Sequence, residues 1–304
     1  MYSETIMESI GNTPIVRLQK INSHVKSDIY VKLEFLNLGG SHKTRIAFSM
    51  IKAAEEKGRL SPNLGKTILA PTGGNTGIGL AIAASILGYK VKLVIPDDYS
   101  REKQNILKAY GAEVILSDSS RGNNSHGELA TNMYFENPSR YELLDQASDP
   151  ANPEIHRKTT AIEILNDLKE VKIDYFIGGI GTGGSITGIG EVLKNKYPEL
   201  KVIGVQPEGC DLPNNVFIHH KIQGLAIGFI PKNLNMDIID EMISINELEA
   251  IDMMKKLTEL EGLCVGISSA ANIVAGLRVA GRFKEKINIV TLAYDSGSHY
   301  LEYF

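Results

Sequence analysis

The chain has 304 residues, 43% of them hydrophobic, which is enough for one large domain or two smaller ones. Its formal net charge is −4, whereas proteins that bind nucleic acid or anionic membranes usually carry an excess of basic residues. No apolar stretch is long enough to span a membrane, and we expect no signal peptide. Because Cys210 and Cys264 lie far apart without metal-like spacing, we expect no metal site and a reducing, cytoplasmic location.

Apolar strands alternate with helices along the chain. Continuous apolar strands that alternate with helices predict parallel sheets covered by helices on both faces, which is an α/β fold. The predicted strands are 28–34, 66–70, 90–95, 112–116, 173–178, 201–206 and 287–293, and the predicted helices are 44–58, 75–88, 100–110, 125–137, 153–169, 185–196, 246–261 and 269–281.

The first predicted strand and helix are joined by a glycine turn that ends in a lysine. Gly39 and Gly40 are followed by Ser41, His42 and Lys43, and an apolar helical run begins directly after them. Such a turn presents the Lys43 side chain to a cleft, where a partly desolvated amine is a nucleophile suited to a Schiff base. The alternative is a solvated lysine in the first turn of a helix.

A second loop, Pro71–Gly77, connects the strand KTILA to an apolar helix. Its glycines let the backbone approach a ligand, and the N–H groups at the helix start favour an anion. Thr72, Asn75 and Thr76 add neutral donors, so the loop suits a carboxylate. The alternative is an ordinary strand-to-helix turn.

A third loop, Gly178–Ser185, follows the strand KIDYFI and precedes a helix. Its backbone N–H groups and hydroxyls are typical of a phosphate cradle. Gly179, Gly181 and Gly184 also match G-x-G-x-x-G, and Glu208 lies near the expected position of a ribose-binding acid. A dinucleotide-dependent oxidoreductase is therefore an alternative, although it leaves the other two segments unexplained.

A fourth segment, Gly266–Ala270, opens a helix of small residues. A serine hydroxyl at this point either caps the helix or hydrogen-bonds a cofactor ring.

Taken in order along the chain, these segments resemble the cysteine synthase and cystathionine β-synthase family. The resemblance covers nearly the whole chain. The segments that carry it are IGNTPIVRL (10–18), VKLEFLNLGGSHKTRIA (31–47), PTGGNTGIGLA (71–81), DPANPEIHRKTT (149–160), GIGTGGSITG (179–188), VIGVQPEG (202–209), HKIQG with GFIPKNL (220–234), GISSAA (266–271) and YDSGSHYL (294–301).

The resemblance implies pyridoxal 5'-phosphate as the cofactor and a tryptophan-synthase-β-like, fold type II architecture. Two doubly wound α/β domains are then expected, with the cofactor in the cleft between them. The smaller domain would be 36–145, and the larger would be 1–35 plus 146–304. A homodimer is also implied. A serine acetyltransferase tail is a family partner, but the altered pocket argues against it here.

The resemblance also implies roles for individual residues. Lys43 resembles the lysine that bonds the cofactor and acts as the catalytic base. Asn75 resembles the partner of the cofactor's 3-hydroxyl, and Ser268 that of its pyridine nitrogen. The implied phosphate loop is Gly181, Thr182, Gly183, Gly184 and Ser185, and the implied pocket for the substrate carboxylate is Thr72, Gly73, Asn75, Thr76 and Gln146.

The implied reaction is β-replacement on a serine- or cysteine-derived amino acid through an α-aminoacrylate, as in cysteine synthesis from O-acetylserine and sulfide. Some positions depart from the family pattern: His42 and Thr44 flank the lysine, Gly73 replaces a serine, and Ala226 adds bulk to the wall of the β-substituent pocket. A relative that consumes cysteine and releases sulfide, forming lanthionine, cystathionine or serine, is the alternative. A catalytically silent binding module is another alternative, but retention of Lys43 argues against it.

Overall fold

The computed structural model describes residues 2–72, 74–121 and 124–304. The chain divides into two compact units: the first is Met1–Ile10 with Asn37–Asn152, and the second is Gly11–Leu36 with Pro153–Phe304. Residues 1–10 and 146–152 thus belong to the first unit, whereas the sequence analysis placed them in the other domain. The sheet of the second unit begins at Ile15, and the described residues 2–10 contain no strand.

Strands and helices alternate through both units. The strands are β1 Ile15–Arg17, β2 Asp28–Lys32, β3 Thr67–Pro71, β4 Val91–Pro96, β5 Glu113–Ser117, β6 Tyr141–Leu143, β7 Tyr175–Gly179, β8 Lys201–Pro207, β9 Glu241–Ile245 and β10 Asn288–Leu292. The helices are α1 Lys43–Glu56, α2 Asn75–Leu87, α3 Arg101–Ala109, α4 Ser125–Glu136, α5 Ala151–Ile155, α6 Ala161–Asp167, α7 Gly184–Lys196, α8 Glu247–Lys256 and α9 Ile267–Ala280.

The first unit contains a four-stranded sheet in the order β5-β4-β3-β6, with all neighbours parallel. The apolar strand β4 is buried along five of its six residues, which explains why its sequence has no polar alternation. Helices α1 and α2 pack against each other. The starts of these two helices and the loop before α2 carry four of the predicted site residues, Lys43, Thr72, Asn75 and Thr76.

The second unit contains a six-stranded sheet in the order β1-β2-β10-β7-β8-β9. Only β1 is antiparallel to its neighbour. The small residues of α9 let the helix lie buried against the sheet, and its central residues pack in the core with β2, β7 and β10. Strands β7 and β10 are adjacent, so the loops after their carboxyl ends lie side by side.

The structure departs from the predicted elements at the sheet edges and in two helices. Strands β1, β6 and β9 were not predicted, and each is an edge strand of its sheet. The predicted helix 153–169 contains a π turn at His156–Thr160, and the predicted helix 246–261 ends in a π turn at Leu257–Glu261.

Within the described part of the chain, no helix has the length and hydropathy needed to cross a membrane. Across the same residues, no group of at least three His, Cys, Asp or Glu side chains is arranged to hold a metal ion.

Candidate active site

Lys43 is the first residue of α1 and lies directly after a turn of left-handed glycines. Gly39 and Gly40 both have φ of 72°, a conformation that favours glycine. A Cβ at Gly39 would also come within 2.7 Å of the Ile82 side chain. The Lys43 side chain is partly buried, and its Nζ lies 2.9 Å from Nε2 of His42.

The backbone of Lys43 rests directly on α2. A Cβ at Gly79 would lie 2.9 Å from the Lys43 carbonyl oxygen, so glycine is required for this close approach. The contact fixes the start of α1 against the first turns of α2. The lysine and the loop that opens α2 are therefore held in a defined relation within the first unit.

The loop before α2 is organised by Thr72. Its buried hydroxyl accepts hydrogen bonds from the backbone N–H groups of Gly74, at 3.3 Å, and Gly77, at 3.1 Å. The Thr76 hydroxyl donates to Oε1 of Gln146. The structure thus joins three of the predicted carboxylate-binding residues, Thr72, Thr76 and Gln146, in one neighbourhood.

Asn75 is the first residue of α2 and is partly exposed. The positive end of the helix dipole attracts an anion, and residues 72 and 74–77 include no charged side chain. The arrangement is thus suited to a carboxylate bound by neutral donors. Gly73, the remaining predicted residue of this pocket, lies outside the described residues.

In the second unit, the predicted phosphate loop leads into α7. Gly183 is the N-cap of that helix, with φ of 79°, and a Cβ there would lie 2.7 Å from Cα of Leu234. A Cβ at Gly181 would overlap the carbonyl oxygen of Gly224. Because side chains are excluded at both positions, the loop presents backbone N–H groups, as a phosphate cradle requires.

The Tyr294 side chain is hydrogen-bonded to Gly179, just before this loop. Its buried hydroxyl accepts a hydrogen bond from the Gly179 N–H at 2.8 Å and donates to the Gly179 carbonyl at 3.3 Å. Burial raises the pKa of the Tyr294 hydroxyl, although hydrogen bonds with Asn272, with the Gly179 backbone and with Ser185 oppose the rise. From the sequence we predicted no role for Tyr294. The feature that could have indicated one is a polar aromatic residue at the point where an apolar strand meets a loop.

Ser268 lies in the first turn of α9 and is buried. The N-cap of this helix is Gly266, so the alternative that Ser268 caps the helix is wrong. The neighbouring Ser269 hydroxyl accepts a hydrogen bond from the Tyr294 N–H at 2.9 Å. Tyr294 therefore connects the start of α9 to the predicted phosphate loop.

The predicted residues thus form two groups, one in each unit. The first unit contains the lysine and the neutral carboxylate loop, and the second contains the glycine cradle and the buried serine. A lysine at a helix start, a predicted carboxylate loop and a predicted phosphate cradle on an α/β scaffold are the features expected of an enzyme that uses a phosphorylated aldehyde cofactor.

Comparison with known proteins identifies that class. A family model described as pyridoxal-phosphate dependent enzyme matches residues 6–295. Cysteine synthase of Staphylococcus aureus strain N315 is 40% identical over 299 residues, which cover 98% of this chain and 95% of the relative. The chain therefore belongs to the family of pyridoxal-phosphate-dependent enzymes.

Solved structures agree with this assignment. O-ureido-L-serine synthase is 36% identical, with a TM-score of 0.94, and the match covers 99% of this chain and 94% of that one. A hydrogen sulfide-producing enzyme from Fusobacterium nucleatum is 38% identical, with a TM-score of 0.92 and coverage of 99% and 98%. The family, the fold type II class, the cofactor and PLP-dependent β-replacement as the type of reaction are confirmed predictions.

The residues present fit pyridoxal phosphate. The contacts that a Cβ would meet at Gly181 and Gly183 exclude side chains there, which a phosphate cradle built of backbone N–H groups requires. Lys43 supplies a partly buried amine at a helix start. The dinucleotide alternative is not favoured, because it explains neither the lysine nor the carboxylate loop, and the similar proteins reported above are not dinucleotide enzymes by description.

Proposed function

We propose that this enzyme makes cysteine from O-acetylserine and sulfide. The Cβ–O bond of the donor breaks, acetate leaves, and a Cβ–S bond forms. The observation that carries the proposal is the similarity to cysteine synthase over almost the full length of both chains. Lys43 at the start of α1, held against α2 and its carboxylate loop, supports it.

Lys43 is proposed to carry the proton transfers. Pyridoxal phosphate, when bound, supplies the electron sink that makes loss of the substrate α-proton feasible. The Lys43 amine would hold the cofactor in the resting enzyme, and with the amino-acid substrate bound its Nζ would accept that proton. A positioned general base of this kind contributes about 10²–10⁴-fold to the rate.

The loop before α2 is proposed to bind the substrate carboxylate. Thr72, Asn75, Thr76 and Gln146 provide neutral donors and a helix start, and Gly73 is included as a prediction from the sequence. Neutral donors bind the carboxylate without placing a cation beside the reacting Cα. The substrate is thereby oriented with its α-proton and β-substituent fixed relative to the base.

The second unit is proposed to hold the cofactor. Gly181, Thr182, Gly183, Gly184 and Ser185 would bind its phosphate through backbone N–H groups and hydroxyls. Ser268 would hydrogen-bond the pyridine nitrogen without holding a proton there as a carboxylate does. A weaker electron sink disfavours racemisation and transamination, while β-elimination of a good leaving group remains easy.

A second candidate is release of sulfide from cysteine. The similar Fusobacterium enzyme is described as hydrogen sulfide-producing. In this chain Ala226 has a left-handed backbone, with φ of 44°, is buried, and donates its N–H to the Ile180 carbonyl at 2.8 Å. The Ala226 backbone therefore lies beside Ile180, where β7 leads into the predicted phosphate loop. From the sequence, Ala226 belongs to the predicted wall of the β-substituent pocket.

The two candidates are separated by measuring both products. Purified enzyme is supplied with pyridoxal phosphate and either O-acetylserine plus sulfide or cysteine alone, and cysteine and released sulfide are quantified. The proposal predicts cysteine formation at a kcat/KM at least about tenfold above that of sulfide release, and loss of both activities in Lys43→Ala. The opposite ratio supports the second candidate, and activity that survives Lys43→Ala contradicts both.

We further propose a homodimer located in the cytoplasm, which binds an amino-acid substrate and does not depend on a serine acetyltransferase tail. Light scattering should give twice the chain mass of 33.2 kDa. A monomer at micromolar concentration would contradict this part of the proposal.

A further inference from the structure

The side chains of two consecutive residues meet at the start of α1. His42 immediately precedes the helix with φ of −62° and ψ of −15°, and its Nε2 lies 2.9 Å from Nζ of Lys43. The imidazole is only 6% exposed. A hydrogen bond of this length requires one nitrogen to carry the shared proton and the other to accept it.

Along the chain, the titratable or charged residues nearest to Lys43 are His42 and Arg45. Helix α2, which packs against α1, has no titratable side chain, and neither has the turn Leu38–Gly40. Arg45 is the other charged residue in the first turn of α1 and is buried. The Ser49 hydroxyl of α1 donates a hydrogen bond to the Ala151 carbonyl. The Asp149 carboxylate accepts a hydrogen bond from the N–H of the same residue, Ala151. His42 is thus a titratable group in direct contact with the amine.

We propose that His42 is the proton acceptor of Lys43 during turnover, an inference that rests on the proposed role of Lys43 as the base. After removing the substrate α-proton, Lys43 is an ammonium whose Nζ lies within hydrogen-bond distance of the His42 imidazole. One Nζ–H bond breaks and an Nε2–H bond forms, which leaves a neutral amine and an imidazolium. When the nucleophile has added to Cβ, the imidazolium returns this proton to Nζ, Lys43 transfers it to Cα, and the pair returns to its starting state.

His42 acts through Lys43 and is therefore a positioning residue rather than the base itself. A purely structural role would require only a hydrogen-bond acceptor beside the amine. Glutamine can accept that hydrogen bond through Oε1 but cannot take up a proton. His42→Gln thus separates the two roles, His42→Ala leaves room for added imidazole, and His24→Gln, at an exposed histidine, is the matched control.

The first measurement uses the cofactor-free protein and does not depend on catalysis. Lys43 is labelled with an amine-specific acylating reagent at a series of pH values, and the labelled peptide is quantified by mass spectrometry. A shared proton makes the two groups titrate as a coupled pair, so the labelling rate of the wild-type protein should rise with pH in two steps. It should rise in one step in His42→Gln and in two steps in His24→Gln. A single step in all three proteins would overturn the proposal.

The second measurement uses the enzyme with its cofactor. In His42→Gln we expect kcat to fall at least about tenfold, with KM for the amino acid changed less than about threefold. Imidazole should restore part of the kcat of His42→Ala. Full activity of His42→Gln would overturn the proposal. If instead Lys43 proves not to bond pyridoxal phosphate, the proposed function fails, while the labelling result still decides whether the pair shares a proton.

Discussion

Replacing Tyr294 with phenylalanine removes the hydroxyl group that is hydrogen-bonded to Gly179, just before the predicted phosphate loop. The Gly179 N–H then loses its acceptor at 2.8 Å inside the core. Leaving a buried donor unsatisfied costs about 1–3 kcal/mol, so we expect the free energy of unfolding to fall by that amount. Ser185 also loses its contact with the hydroxyl. We therefore expect the dissociation constant of pyridoxal phosphate to rise about tenfold, which corresponds to about 1.4 kcal/mol.

Urea unfolding of the cofactor-free protein measures the first effect, and a titration followed by visible absorbance measures the second. Tyr89→Phe is the matched control, because its hydroxyl donates to Glu55 at 2.6 Å and Glu55 keeps a second partner, Lys52, at 2.7 Å. We expect the control to lose no more than about 1 kcal/mol and to keep its cofactor affinity. Equal cofactor affinity in Tyr294→Phe and the wild-type protein would contradict the predicted link between the Tyr294 hydroxyl and cofactor binding.

Three further predictions concern other residues of the fold and site. Gly181→Ala should weaken cofactor binding at least about tenfold, since its methyl overlaps the Gly224 carbonyl; an unchanged dissociation constant would contradict this. Ala226→Gly should change the free energy of unfolding by less than about 1 kcal/mol, because relief of the left-handed backbone offsets the lost methyl group, and should raise cysteine synthesis relative to sulfide release in the paired product assay. Burial opposes ionisation of Glu261, but the backbone N–H donors of residues 19–21, at 2.6–3.0 Å, bring its pKa below the ordinary value of 4.5. Because the folded pKa is the lower one, the carboxylate stabilises the fold above pH 4.5, and this contribution disappears as the pH falls through the folded value. The difference in unfolding free energy between the wild-type protein and Glu261→Gln should therefore be largest near pH 7 and shrink below pH 4.5, and a difference independent of pH would contradict the assignment.

Much of the fold was predictable, because apolar strands and helices alternate with glycine punctuation. The missed strands β1, β6 and β9 lie at sheet edges, where one side of the strand has no neighbour and the sequence need not be continuously apolar. The two π turns also have no sequence signal in periodicity, since an inserted residue leaves the helical pattern on both sides intact.

The loops of the candidate site were predictable because their glycines and hydroxyl residues exceed what ordinary turns need. The role of Tyr294 was not, because it depends on a contact with Gly179, 115 positions away in the chain. At the sequence level, an aromatic residue after an apolar strand is indistinguishable from a core residue. The contact between His42 and Lys43 depends on side-chain rotamers, which the sequence does not specify.

The most direct test of the central claim is to locate the cofactor on the chain. The purified protein is incubated with pyridoxal phosphate, reduced with borohydride and digested, and the modified peptide is identified by mass spectrometry. The account predicts one phosphopyridoxyl group, attached to Nζ of Lys43, and none after Lys43→Ala. Attachment to a different lysine, or no attachment, would contradict the assignment of Lys43 and with it the proposed mechanism.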